Sequence, residues 1–124
     1  MDVRSRLDAK PFTTLDGSTI RVLVDAVAGG SANQSLAEAE LAPAQQTQRH
    51  YHARTEEIYF LLEGGGEMEV DGDRAEVGIG DAILIPAGAR HQITAGQDGA
   101  RFLCCCAPPY SDADTFFDEE IVPE

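Results

Sequence analysis

The sequence predicts an all-β protein, a sandwich or barrel of about eight short strands. Three observations support this prediction. Runs rich in β-branched and aromatic residues recur every ~8–12 residues, glycine-containing turns separate them, and sustained helical periodicity is rare. The chain has 124 residues, 43% hydrophobic and 25% charged, which suits one globular domain. We therefore expect a single domain over residues 1–124, with a core over about 18–107 and a C-terminal tail over 108–124.

Turn signals separate the predicted strands. The segment from Asn33 to Leu41 is ambiguous, because its apolar residues fit neither the helical nor the strand period, and we favour a strand. The segment from Glu57 to Leu62 is apolar on both faces, so we expect both faces to be covered and the strand to end at the glycines of 64–66. Asp71-Gly72 indicates a hairpin. The predicted strands cover residues 18–25, 33–41, the QRHYH segment, 57–62, 67–70, 74–77, AILIP, 91–95 and 101–107.

The C-terminal residues form a short acidic extension. Ser111 and Asp114 have the spacing of a capping box, which could start a short terminal helix. We favour instead a solvated end in which Phe116 and Phe117 tuck against the barrel.

The charge and the cysteines limit the possible partners and the location. Twenty-two acidic residues against nine basic ones give a formal charge of −13, and Lys10 is the only lysine, so we expect no nucleic-acid partner. No run of 18 apolar residues and no apolar leader segment occurs, so we expect no membrane association and a cytoplasmic location. Cys104, Cys105 and Cys106 are consecutive and odd in number, which argues against a disulfide framework and fits reduced thiols in that compartment.

The histidines carry the clearest functional signal. His50 and His52 flank Tyr51, so on a strand both side chains point to one face, with their Cα atoms about 6.7 Å apart. Glu57 follows at an odd separation after a polar turn, and therefore has to return to that face across a bend. His91 follows the turn PAGAR. Three imidazoles and a carboxylate would suit a borderline transition metal.

This pattern resembles the two motifs of the cupin superfamily. The first motif asks for a histidine pair, then three or four residues before a glutamate, then six residues before a glycine. His50, His52, Glu57 and Gly64 satisfy it, with four residues between His52 and Glu57 and six between Glu57 and Gly64. The second motif asks for glycine, proline, glycine and histidine at fixed spacings, and is matched by Gly80, Pro86, Gly88 and His91. The resemblance covers about residues 34–107.

Two positions depart from the family pattern. Ala44 stands where the first motif begins with glycine, and we expect Pro43-Ala44 to form a turn that needs no positive φ. Ala95 replaces the closing asparagine, beyond the ligands. Glu56 is the rival to Glu57 as the acidic ligand, and the distance to Gly64 favours Glu57.

The resemblance implies a small jelly-roll barrel, the double-stranded β-helix of RmlC-like cupins. It also implies one divalent transition metal ion per chain, Fe, Mn, Ni, Cu or Zn, held by His50, His52, Glu57 and His91. Four protein ligands on an octahedral ion would leave two positions for water, dioxygen or a chelating substrate. We expect a mononuclear non-haem enzyme of dioxygenase or other oxidoreductase type, acting on a small polar or aromatic molecule. The alternatives are a non-redox isomerase, epimerase, decarboxylase or lyase, and a small-ligand binding or sensing module without turnover.

Strand parity gives the expected pocket and catalytic groups. Glu57, which could move a proton, and Tyr59 are the catalytic candidates. The substrate pocket is expected to be lined by residues that share the faces of the metal ligands, namely Gln46, Gln48, Tyr59, Leu61 and Ile93. Arg21 and Arg49 could attract an acid, although their orientation is open at this point.

Two further expectations concern packing. Cys104 and Cys106 share one face of the last strand, where we expect them to act as small packing groups rather than metal ligands. Ile58, Phe60 and Leu62 form a second apolar face on the Glu57 strand, so we expect a homodimer that covers this face.

Overall fold

The computed structural model describes residues 1–27 and 30–117. The described chain is dominated by β-structure, with short 3-10 helices at Arg6–Asp8 and Asp112–Asp114. None of the helices in this part of the chain has the length or apolarity needed to cross a bilayer. The strands are β1 (Phe12–Thr13), β2 (Thr19–Val24), β3 (Ser35–Leu41), β4 (His50–Tyr51), β5 (Glu56–Val70), β6 (Asp73–Gly78), β7 (Ala82–Ile85), β8 (His91–Ala107) and β9 (Phe116–Phe117). The all-β prediction is confirmed, and the ambiguous segment 33–41 forms β3.

These strands form one antiparallel sheet that curls around a core. Its order runs β1-β2-β3-β8-β4-β9, while β5 pairs with β6, β7 and β8. Strand β8 is central, because it pairs with β3, β4 and β5. Ala37 and Tyr59 both lie beside Cys104, so β3, β8 and β5 present their residues in one row.

The glycine run at 64–66 bends a strand rather than ending it. The segments predicted as separate strands 57–62 and 67–70 are one 15-residue strand, β5, with register shifts on either side of Gly64. Similarly, the predicted strands 91–95 and 101–107 are both parts of β8. A Cβ atom on Gly64 would overlap the carbonyl oxygen of Gly99, and one on Gly66 would overlap that of Thr94. These glycines therefore allow the close backbone approach that curls the sheet.

The turn at Ala44 differs from the expectation. Ala44 has a φ of 63°, in the left-handed region, whereas the sequence predicted a turn without positive φ. A Cβ atom at such a φ costs roughly 1 kcal/mol. The structure therefore explains why the first motif begins with glycine, and it shows that this chain retains the glycine-like conformation with an alanine.

The inner face of the sheet forms the core. Leu61, Ile93 and Phe102 have at most 1% of their surface exposed, and β5 alternates buried with exposed residues over its first half. Ile58 and Phe60 point to the outer face and are each 40% exposed. Within the described residues, the outer face of β5 is thus only partly covered, in contrast to its inner face.

The last described residues pack against the barrel. Phe116 and Phe117 are half-buried and pair with β4, which agrees with the expected tucked position. Ser111 caps the 3-10 helix Asp112–Asp114 by accepting a hydrogen bond from the N–H of Ala113 at 3.1 Å. The rest of the acidic tail, residues 118–124, lies outside the described residues.

Candidate metal centre

Two neighbouring strands and the turn after one of them bring the three histidines together. His50 lies on β4 directly opposite His91, the first residue of β8. His52 follows β4, and its carbonyl accepts a hydrogen bond from the N–H of Gly88 at 2.7 Å, which ties it to the turn before His91. All three side chains are buried, and one nitrogen from each lies within 4.8 Å of the other two. The structure therefore contains a site at which three imidazoles could hold a metal ion.

Each imidazole is oriented by a hydrogen bond from its Nδ1 atom to a backbone carbonyl. The acceptors are the carbonyls of Gln48 at 2.8 Å for His50, of Asp114 at 3.1 Å for His52, and of Ala89 at 3.0 Å for His91. A carbonyl oxygen can only accept, so Nδ1 carries the proton and Nε2 keeps its lone pair. This is the usual arrangement around metal-binding histidines, in which the second ring nitrogen fixes the tautomer.

Glu57 brings a carboxylate to the same place. The short turn after His52 reverses the chain, and Glu57 then points inward from β5, as its odd spacing required. Its Oε1 atom lies 3.4 Å from Nε2 of His52 and 3.3 Å from Nε2 of His91. Its Oε2 atom accepts a hydrogen bond from the thiol of Cys106 at 3.3 Å. Glu56, the rival ligand, is exposed on the outer side.

Two buried polar atoms at this point fit the binding of a cation. Within the described residues, Oε1 of Glu57 and Nε2 of His91 have no hydrogen-bond partner, although both are buried. A buried polar atom without a partner is costly. Donor atoms bound at right angles to one ion lie about 3 Å apart, close to the distances from Glu57 to the two imidazoles. The residues therefore fit a divalent ion with three nitrogen donors and one oxygen donor, a set that suits the borderline metals.

The surroundings of His50 and His52 shift their pKa values in opposite directions. Burial lowers the pKa of His50 to about 4, and the positive charge of a protonated His91 would lower it further. Burial also lowers the pKa of His52, but Glu57 and Asp114 outweigh it, so the net pKa is raised. Burial would raise the pKa of Glu57, yet the adjacent imidazoles of His52 and His91 hold it below its usual range. Glu57 is therefore ionised at neutral pH.

The histidine cluster opens into a small cavity of about 80 Å³. Strands β2, β3, β5 and β8 contribute most of its wall, and the segment 12–18 closes one side. Burial, reinforced by Glu57, raises the pKa of Tyr59 well above its ordinary value, so its phenol stays protonated. Burial raises the pKa of Tyr110, which also lines the cavity, to about 12. Both tyrosines present neutral hydroxyl groups at neutral pH.

The expected pocket residues occupy different places. Tyr59 lines the cavity. Gln46 and Gln48 are exposed and lie before the start of β4, so strand parity does not extend back to them from His50. Leu61 and Ile93 point inward as expected, but both are fully buried in the core beyond the described cavity wall.

The arginines named from the sequence belong to ion pairs. Arg21 lies 3.5 Å from Glu40 and 3.7 Å from Glu38, and Arg49 lies 2.6 Å from Glu69. Neither arginine is among the described residues that line the cavity.

The cysteines divide between the two faces of β8. Cys104 and Cys106 line the cavity, whereas Cys105 is exposed. Burial, strengthened by the charge of Glu57, raises the pKa of the Cys104 and Cys106 thiols, so both stay protonated. Both are small side chains of the cavity wall, and the thiol of Cys106 additionally donates a hydrogen bond to Glu57.

Three contributors to the site went unnoticed in the sequence. Asp16 was not among the residues singled out from the sequence, yet its Oδ2 atom lies 3.8 Å from Nε2 of His50. Asp114 and Thr115 were assigned to a solvated tail, yet both contact Nδ1 of His52. Their contacts join residues that lie more than 30 positions apart in the sequence. For the C-terminal segment, only the capping-box pattern at Ser111 indicated ordered structure.

The comparisons with known proteins assign the family. The cupin domain model matches residues 37–106, so the chain belongs to the cupin family. An uncharacterized protein, MJ1618 of Methanocaldococcus jannaschii, is 44% identical over 107 residues, which are 86% of either chain. The dimethylsulfoniopropionate lyase DddW of Ruegeria pomeroyi is 35% identical over 82 residues, which are 66% of this chain and 53% of the lyase.

Solved structures agree with this assignment. The polyketide cyclase RemF from Streptomyces resistomycificus superimposes with a TM-score of 0.80 and 27% identity, covering 100% of this chain and 88% of the cyclase. The predicted RmlC-like jelly-roll barrel is thereby confirmed.

Proposed function

We propose that this cupin is a metal-dependent enzyme that performs non-redox chemistry, of the lyase or isomerase kind, on a small organic molecule. The observation that carries the proposal is the convergence of three oriented imidazoles and the Oε1 atom of Glu57, without a hydrogen-bond partner in the described structure, at the wall of a cavity. His50, His52, His91 and Glu57 would hold one divalent ion. The ion would supply a Lewis acid that polarises a carbonyl, carboxylate or enediol oxygen of the substrate.

Glu57 and Tyr59 provide the proton-transfer groups in this proposal. Glu57 is ionised, and its carboxylate would leave the metal ion to accept a proton from an acidic C–H bond. Tyr59 lies two residues further on the same face of β5, and its protonated hydroxyl can donate a hydrogen bond to a developing negative charge. The mostly apolar wall, which includes Ile20, Ala39 and Phe102, excludes water from both groups.

The comparisons support the non-redox choice over the dioxygenase prediction. One relative carries the name of a lyase, and a structural neighbour carries that of a polyketide cyclase. An oxygenase is the second candidate, because three imidazoles and a carboxylate also suit iron. A binding module without turnover would use the same cavity and metal ligands but would need no group that transfers a proton.

Deuterium exchange into a panel of simple compounds distinguishes these candidates. The protein, loaded in turn with zinc, manganese or iron, is incubated in D₂O with small carbonyl and carboxylate compounds that carry an acidic C–H bond. Proton NMR measures the exchange of deuterium into that C–H bond. We expect this exchange in the metal-loaded wild type, and we expect it to be lost after chelation of the metal or in Glu57→Gln. Oxygen consumption with formation of an oxidised product would instead identify the oxygenase.

We also propose that the protein is a homodimer. The outer face of the sheet carries Ile58 and Phe60 on β5, each 40% exposed, and Leu84 on β7, 57% exposed. Leu84 pairs directly with Ile58, and Leu103 of β8 pairs with Phe60, so these side chains form one continuous apolar patch across three strands. A second copy of this chain would cover the patch, since such a contiguous exposed surface is typical of an interface.

A further inference from the structure

A second carboxylate, that of Asp16, approaches the histidine cluster from the N-terminal hairpin. Its Oδ2 atom lies 3.8 Å from Nε2 of His50, which is beyond hydrogen-bonding distance. Its Oδ1 atom accepts hydrogen bonds from the N–H of Ser18 at 2.9 Å and from the hydroxyl of Ser18 at 2.6 Å. The carbonyl of Asp16 also accepts the N–H of Gln48 at 2.7 Å. The carboxylate is thus fixed in place with one oxygen directed at the cluster.

Asp16 and Glu57 occupy different positions around the histidines. Glu57 contacts His52 and His91, whereas Asp16 contacts His50. Asp16 also belongs to the cavity wall, and its side chain is only 13% exposed. A ligand in the cavity would therefore meet the metal-binding cluster and the Oδ2 atom of Asp16 together.

The charge of the cavity wall restricts what such a ligand can be. The described wall contains the carboxylates of Asp16 and Glu57 and no lysine or arginine. An anionic group would therefore find its favourable partner only at the metal. A hydrogen-bond donor, in contrast, would find an acceptor at Asp16, and a positively charged donor would gain most from it. The small cavity volume limits the distance between the two groups to a few bonds.

We propose that Asp16 is a ligand-binding residue that accepts a hydrogen bond from an ammonium or hydroxyl group of a small molecule whose carboxylate is held at the histidine centre. This assignment rests on the proposed function, because the metal ion holds the carboxylate. It defines the substrate class as a short molecule with an acidic group at one end and a hydrogen-bond donor near the other.

The test compares two probes of equal length, β-alanine and butyrate, which differ by an ammonium group in place of a methyl group. Binding of each probe to the Co²⁺-loaded protein is followed by visible absorption of the metal at pH 7. We expect β-alanine to bind the wild type at least about tenfold more tightly than butyrate, and the ratio to fall to about one in Asp16→Asn. Asp8→Asn removes the same charge from the exposed N-terminal segment and should leave the ratio unchanged.

The variants are designed to separate binding from folding. Asparagine can still accept the hydrogen bonds of Ser18, Asp16→Ala serves as a second variant, and circular dichroism checks both. Their affinity for Co²⁺ itself should stay within about threefold of the wild type.

Three outcomes would overturn the assignment. If the wild type binds Co²⁺ normally and binds both probes with equal affinity, the assignment of Asp16 is refuted and the proposed function is not. A loss of Co²⁺ affinity greater than about tenfold in Asp16→Asn would make Asp16 a metal ligand instead. Failure of the wild type to bind Co²⁺ at all would overturn the proposed function and this assignment together.

Discussion

Removal of the Asp114 carboxylate should loosen both the barrel and the metal centre. This carboxylate accepts hydrogen bonds from three successive backbone N–H groups in the turn between His52 and Glu57. The donors are Ala53 at 3.1 Å, Arg54 at 3.1 Å and Thr55 at 3.1 Å. The carbonyl of Asp114 orients His52 at the same time. One residue of the C-terminal segment therefore holds the turn that joins two proposed metal ligands.

The magnitude follows from these contacts. A hydrogen bond to a charged group contributes about 1.5–3 kcal/mol, and less where water can replace it. The N–H of Arg54 is exposed, whereas those of Ala53 and Thr55 are partly buried. We therefore expect Asp114→Ala to lower the free energy of unfolding by about 2–4 kcal/mol. The loosened segment also carries the carbonyl that orients His52, so metal binding should weaken by roughly tenfold, at the lower end of the usual effect.

The assay measures the two effects separately. Urea unfolding in the presence of a chelator gives the stability of the metal-free protein, and competition with a coloured chelator gives the affinity for Zn²⁺. Asp112→Ala is the matched control, because it removes an exposed carboxylate from the same 3-10 helix, where that carboxylate accepts a hydrogen bond from the hydroxyl of Tyr110 at 2.8 Å. We expect that control to change stability by less than about 0.5 kcal/mol. An Asp114→Ala protein as stable as the control, with unchanged Zn²⁺ affinity, would refute the reasoning.

Three other outcomes follow from the structure. Metal affinity should be nearly constant at high pH and fall as the pH drops below the raised pKa of His52, because protonation blocks its Nε2 atom. Equilibrium dialysis measures the metal occupancy, and an occupancy that stays flat from about pH 7.5 to 5 would contradict this expectation. Ala44→Gly should stabilise the protein by about 0.5–1 kcal/mol in urea unfolding, since it relieves a positive φ, and a destabilised variant would show that the turn is not strained. Phe60→Glu should convert the proposed dimer to a monomer of 13.3 kDa, as measured by light scattering. The control Ile79→Glu changes a 72% exposed position outside the apolar patch and should leave the dimer intact. A monomeric wild type would contradict the proposed dimer.

The sequence predicted that the three histidines come together, because their signal is local. The spacing of His50 and His52 already places both side chains on one face. The turn before His91 then brings His91 opposite His50. The choice of Glu57 over Glu56 agrees with strand parity, since neighbouring residues of a strand point to opposite faces.

The cavity was harder to predict because its wall depends on contacts between distant segments. Asp16 reaches His50 because the turn between β1 and β2 contacts the segment before β4, where the N–H of Gln48 donates to the carbonyl of Asp16. No local sequence pattern predicts that contact. Gln48 is exposed and lies before β4, because the parity of His50 holds only within that strand. The glycines at 64–66 illustrate a third difficulty, since the same residues that end strands also permit a sharp bend within one.

The position of a bound ion tests the central claim most directly. Crystals of the protein loaded with Zn²⁺ are measured at the zinc absorption edge, and an anomalous difference map locates the metal. We expect one peak per chain, about 2.0–2.2 Å from Nε2 of His50, His52 and His91 and from Oε1 of Glu57. A fully loaded crystal whose zinc peaks all lie elsewhere would contradict the assignment of these residues as the metal centre.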